Sequence, residues 1–167
     1  MFPKLLARDL SIVALTALIW RLGAQASSQP GFGGDFAGVL AGLTVGLCAY
    51  LLHEWGHLAG AILSGSTVRP ARALSSGFLF SFESRRNTRR QFVVLSLGGW
   101  LATALALWLA YAALPSELFA SRVARGVVVA NSLLVVLIEF PLVAWSLWTG
   151  RVPPVENQPA SAPIAAT

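Results

Sequence analysis

From Phe36 to Leu63 the chain carries no lysine, arginine or proline and a single acid, Glu54. Drawn as a helix, that stretch is ~42 Å long, more than the ~30 Å thickness of bilayer hydrocarbon. Three further apolar segments accompany it: Leu10 to Trp20, Phe92 to Leu114 and Val127 to Trp148. The last two meet the ~20 residues that a spanning helix needs. Only 11% of residues are charged, against about 25% in soluble domains, and no hydrophilic stretch is long enough for a soluble domain. The expected fold is an all-α membrane protein of about four transmembrane helices.

The basic residues orient it. The loop between the second and third segments holds Arg69, Arg72, Arg85, Arg86, Arg89 and Arg90 against one acid, Glu83. The excess of positive charge on cytoplasmic loops makes this side internal. Lys4, Arg8 and Arg151 then also fall inside, and only Arg21, Arg122 and Arg125 outside, with both termini cytoplasmic. Because the arginines flank apolar segments, the net charge of +5 gives no sign of nucleic-acid binding. Residues 1–26 read as a first transmembrane helix or as a signal peptide. Lys4, Arg8, a short apolar run and Ala24-Gln25-Ala26 fit a signal peptide, while Asp9, Trp20 and Arg21 count against cleavage. Residues 36–150 form the membrane core. Residues 151–167, rich in proline and alanine, have little with which to build a core and are expected to be disordered.

Both histidines fall in His53-Glu54-Trp55-Gly56-His57. This is H-E-x-x-H, the zinc-protease pattern: on a helix, residues four apart share a face and can reach one metal ion. Glu54 is placed to act on a metal-bound water as a base. Ionisable groups inside a spanning helix are costly and generally functional. Cys48, the one cysteine, lies on another face and reads as a small buried residue. Gly38, Gly42 and Gly46, and again Gly56 and Gly60, recur every four residues and read as close helix packing.

Catalytic zinc usually takes three protein ligands and a water. With no third histidine, a carboxylate is needed. Asp35 lies ~27 Å along the helix from His53, and Glu83 and Glu117 are in loops. Glu139 is the one acid in the middle of another span. Counted from the cytoplasmic ends at Gly65 and Gly150, His57 is ~12 Å deep, His53 ~18 Å and Glu139 ~16 Å. The other reading of Glu139 is a lone carboxyl bonded to a neighbouring helix. Asn131, two turns further out, is a weaker ligand candidate.

Between Tyr50 and Gly150 the sequence resembles the site-2 protease family of intramembrane zinc metalloproteases. HEWGHLAGAILSGSTV looks like the family's motif helix and its exit. SGFLFSF, Ser76 to Phe82, looks like its short strand region, a β-hairpin-like element in the cytoplasmic loop. LSLGGWLATALAL, Leu95 to Leu107, resembles the helix that usually opens with Ala-Gly-Pro. VANSLLVVLIEFPLVAW resembles the last core helix, which carries Asn and then Pro before the third ligand. The family supplies that ligand as the Asp of L-D-G. Here Leu147-Trp148-Thr149-Gly150 stands at about that place, so either Glu139 replaces the Asp or the site has two protein ligands.

The resemblance implies a Zn2+-dependent endopeptidase with Glu54 catalytic and His53, His57 and Glu139 on the metal. It would cut transmembrane protein substrates within or beside their spanning helices, in a lipid bilayer. Abundant Ala, Leu and Arg point to a GC-rich bacterium, and the expected location is then its inner membrane. Phe78, Phe80 and Phe82 would pair with an unwound substrate as a strand, or serve as interfacial aromatic anchors. The alternative function is a non-cleaving, zinc-binding membrane protein acting through partners. Zinc transporters with similar runs need a second metal-binding helix and about eight spans; di-iron desaturases need many more histidines. Substrate identity and oligomeric state are not encoded legibly.

Overall fold

The computed structural model describes residues 1–29 and 31–154. Four helices, α1 (Phe2–Ala26), α2 (Phe32–Leu63), α3 (Arg89–Ala112) and α4 (Phe119–Thr149), are joined in chain order. Two short strands, β1 (Val68–Pro70) and β2 (Phe80–Phe82), lie between α2 and α3. Three helices, α2, α3 and α4, are long and apolar enough to cross a membrane. The first, expected to be a fourth span, does not meet that standard. It is 25 residues long, but its apolar run is confined between Asp9 and Arg21.

The helix ends follow local chemistry. Gly65 closes α2 in the left-handed conformation (φ 64°). Its N–H donates to Ile62 O (3.1 Å) and that of Ser66 to Ala61 O (2.8 Å), which satisfies two terminal carbonyls. Thr88 and Gln91 cap the start of α3 reciprocally. Gln91 Nε2 also donates to Gly65 O (2.9 Å), tying that cap to the end of α2.

α2 is the central helix and packs against each of the other three. Its glycines do this by omission. A Cβ on Gly42 or Gly46 would lie 2.6 or 2.1 Å from side-chain carbons of Val123 or Val127, so α4 sits in that groove. Against α3 the approach is closer still. A Cβ on Gly98 would fall 2.3 Å from Gly56 O, and one on Gly60 2.6 Å from Val94 O. Two backbones touch there, as small residues permit in membrane helices.

β1 and β2 pair antiparallel, with Val68 opposite Phe82 and Pro70 opposite Phe80. Phe80 and Phe82 are buried in the core that also holds Leu58, Phe92 and Val143; Phe78 is exposed. Asn87 holds the hairpin's open end, with its Oδ1 accepting from Thr67 N (2.7 Å) and its Nδ2 donating to Thr67 O (2.7 Å). Of the tail expected to be disordered, Pro153 is fully buried and its carbonyl accepts from Ser84 Oγ (2.8 Å), while Arg151 and Pro154 are exposed. Residues 155–167 lie outside the described part.

Candidate metal centre

α2 presents His53 and His57 one turn apart towards α3 and α4. α4 brings Glu139 to the same point from the other side. His53 Nε2 is 2.9 Å from Glu139 Oε1, His57 Nε2 is 3.1 Å from it, and the two Nε2 atoms are 3.0 Å apart. Four-coordinate zinc with bonds near 2.0–2.1 Å sets its ligand atoms ~3.3 Å apart. The observed triangle is within a few tenths of an ångström of that spacing. His53, His57 and Glu139 therefore form a group that can hold a metal ion.

The far sides of the imidazoles fix which nitrogens face inward. His57 Nδ1 lies 3.0 Å from Leu95 O, and His53 Nδ1 lies 3.1 Å from Gly99 O and 2.8 Å from Thr103 Oγ1. A carbonyl oxygen only accepts, so each Nδ1 carries a proton, and in the neutral form of the ring Nε2 turns a lone pair inward. Three acceptor atoms then converge at about 3 Å. A single metal cation would satisfy all three at once.

Trp100 completes the arrangement. Its indole Nε1–H donates to Glu139 Oε2 at 2.9 Å, leaving Oε1 for the histidines. Gly99 supplies space, because a Cβ there would lie 2.3 Å from His57 Cε1. Pro141, two residues past Glu139 within α4, removes the amide hydrogen that would otherwise bond the carbonyl one turn back.

Glu54 is buried and lies in the same cavity of about 440 Å³ as His53, His57 and Glu139. Its Oε2 accepts the backbone N–H of Leu79, just before β2, at 3.2 Å. Phe78, Phe80 and Phe82 line the cavity as well. Asn131 also faces it, but its amide donates to Gly46 O (3.0 Å) and ties α4 to α2; it is not in the metal-ligand group. Cys48 Sγ contacts Thr16 Oγ1 (3.3 Å) on the α1 side.

No family model, curated protein or solved structure matches this chain. What can be said of the site thus comes from its own geometry. Sequence reasoning passed over Trp100, Gly99, Thr103 and the Leu79 amide. A tryptophan in the middle of a spanning segment was the one signal available for the first. The others depend on how closely α2 and α3 approach, which no local pattern states.

Proposed function

We propose that this protein is an intramembrane zinc metallopeptidase that hydrolyses peptide bonds within or beside transmembrane segments of other proteins. The observation that carries the reading is the convergence of three lone-pair atoms of His53, His57 and Glu139, with both Nδ1 atoms anchored on α3 carbonyls. Glu139 would stand where the family resembled here uses an Asp. Zinc, when bound, supplies a Lewis acid and lowers the pKa of water to about 7.

The chain's own residues account for the remaining steps. The Glu54 carboxylate, held through Oε2 by Leu79 N–H, takes a proton from the attacking water. As the carbonyl carbon gains its new C–O bond and the C–N bond breaks, Glu54 returns that proton to the leaving amine. The apolar cavity walls keep bulk water away and strengthen these interactions.

β2 supports substrate binding as an extended strand. Leu79 O accepts from Ala71 N, and Glu83 N donates to Thr67 O, so these residues turn their polar groups towards β1. By alternation, Phe80 and Phe82 direct theirs to the opposite edge, and no third strand occupies it among the described residues. A helix that unwinds at the site can satisfy its freed backbone groups on this edge.

In the corresponding topology α2, α3 and α4 span the bilayer and the arginine-rich hairpin loop faces the cytoplasm. α1 would form a fourth crossing, with both termini cytoplasmic, in a bacterial inner membrane. The test compares new protein N-termini in membranes of cells expressing the wild-type chain or Glu54→Gln. Termini in or beside spanning segments that require Glu54 support the protease. Identical profiles from two folded, abundant proteins favour a metal-binding membrane protein that works through partners.

A further inference from the structure

The first helix carries a partly buried ion pair that its membrane role does not require. Asp9 is 4% exposed and accepts from Arg8 Nε at 2.6 Å. Arg8 bears on orientation through its positive charge alone, which does not call for an ion pair with Asp9. Burying the two also costs desolvation. What they touch gives the pair its purpose.

Trp55, inside the histidine motif, donates its indole Nε1–H to Asp9 Oδ2 at 2.8 Å. Arg8, on the other side of the pair, donates from one guanidinium nitrogen to Leu74 O (2.7 Å) and Ser76 O (2.8 Å). That turn leads within three residues to Leu79, whose N–H meets Glu54 Oε2. Tyr50 Oη, one helical turn before Glu54, donates to Gly77 O at 2.9 Å. The connections form a closed circuit that leaves α2 at Trp55, passes through Asp9, Arg8 and the 74–76 turn, and returns to α2 at Glu54. Between Ala71 and Leu79, which still pair through Ala71 N–H and Leu79 O (2.9 Å), the backbone is irregular, and its own bonds are local ones around Ser76.

We propose that Arg8 and Asp9 are positioning residues for the site, clamping the 74–76 turn so that Leu79 and the edge of β2 stand at a fixed place beside Glu54. The catalytic meaning of this clamp rests on the protease reading above; the clamp itself does not. It also makes α1 a working part of the core, since loss of residues 1–26 would remove the clamp along with the helix.

The test uses the full chain in lipid nanodiscs and measures backbone amide exchange in the wild-type protein, Arg8→Ala, Arg8→Lys and Asp9→Asn. Arg8→Ala should speed exchange across 74–82 by about tenfold or more, because two charge-assisted hydrogen bonds to that turn are lost. Exchange in α3 and α4, and bound zinc per chain, should not change. Arg8→Lys, which keeps the charge beside Asp9 but lacks the guanidinium fork, should recover part of the protection. In the N-terminus comparison, Glu54-dependent cleavage should fall in Arg8→Ala and return in part in Arg8→Lys. Unchanged exchange at 74–82 overturns the proposal. So does acceleration spread evenly over all helices, which would make the pair an ordinary packing contact. Should the wild-type chain yield no new termini, the protease reading falls, and the exchange pattern alone decides the clamp.

Discussion

Trp100 and Glu139 divide the labour of one carboxylate: the indole N–H occupies Oε2 at 2.9 Å, and Oε1 alone faces the two imidazoles. A carboxylate free at both oxygens can swing or bind a metal through two atoms. This one offers a single free atom, Oε1, to an ion held by the group, the denticity that four-coordinate zinc would require.

Trp100→Phe should therefore keep the fold and its stacking on Phe140 while weakening the metal. Loss of an outer partner to a ligating group typically costs about 10- to 100-fold in affinity. Competition with a graded series of zinc chelators measures it. Wild-type affinity in the variant would show that the indole has no part in the site.

Glu139→Ala leaves two imidazoles and should abolish stoichiometric zinc after dialysis. Glu54→Gln, whose carboxylate is outside the ligand group, should retain it. Metal analysis of both proteins separates ligand from base. Retention of one zinc per chain by Glu139→Ala would remove Glu139 from the ligand set.

Gly99→Ala places a methyl 2.3 Å from a ring carbon of His57, so either the ring turns or the helices part. Zinc affinity should drop by at least about tenfold, as expected when a ligand loses its supporting geometry. Gly126→Ala is the matched control, because nothing lies within 4 Å of its Cβ position in α4. It should leave zinc unchanged and raise stability by about 0.5–1 kcal/mol, the ordinary helix preference of Ala over Gly.

Gly98→Ala drives a methyl to 2.3 Å from the backbone oxygen of Gly56. Backbone cannot rotate aside as a side chain can, so α2 and α3 must separate. Thermal unfolding in detergent should show a loss of about 1–3 kcal/mol, the usual cost of overpacking.

The three long apolar helices and the two histidines one turn apart are legible in the sequence because each has a short-range signature. Glu139 could be singled out only by elimination and depth, since nothing beside it marks a ligand; the structure brings it to the histidines. The strand region was visible in the alternation of Phe78, Phe80 and Phe82, yet regular pairing begins only at Phe80. Trp100 and Gly99 were out of reach because their roles depend on contacts between helices. Arg8 and Asp9 look from sequence like the charged flank of a leader or first span. Their partners Leu74, Ser76 and Trp55 lie more than 45 positions away, beyond any local pattern.

The backbone contact between Gly56 and Gly98 has a wider consequence. Where two helices meet through side chains, their separation drifts as those side chains are exchanged over generations. Here the main chains themselves are the stop. The carbonyls of Leu95 and Gly99 that hold the histidines belong to one of the touching backbones. Their reach to the imidazoles is thus dictated by the calibre of two bare helices. Such a gauge is indifferent to which apolar residues coat the outside, so the outer surface can be rewritten almost freely while the centre keeps its dimensions.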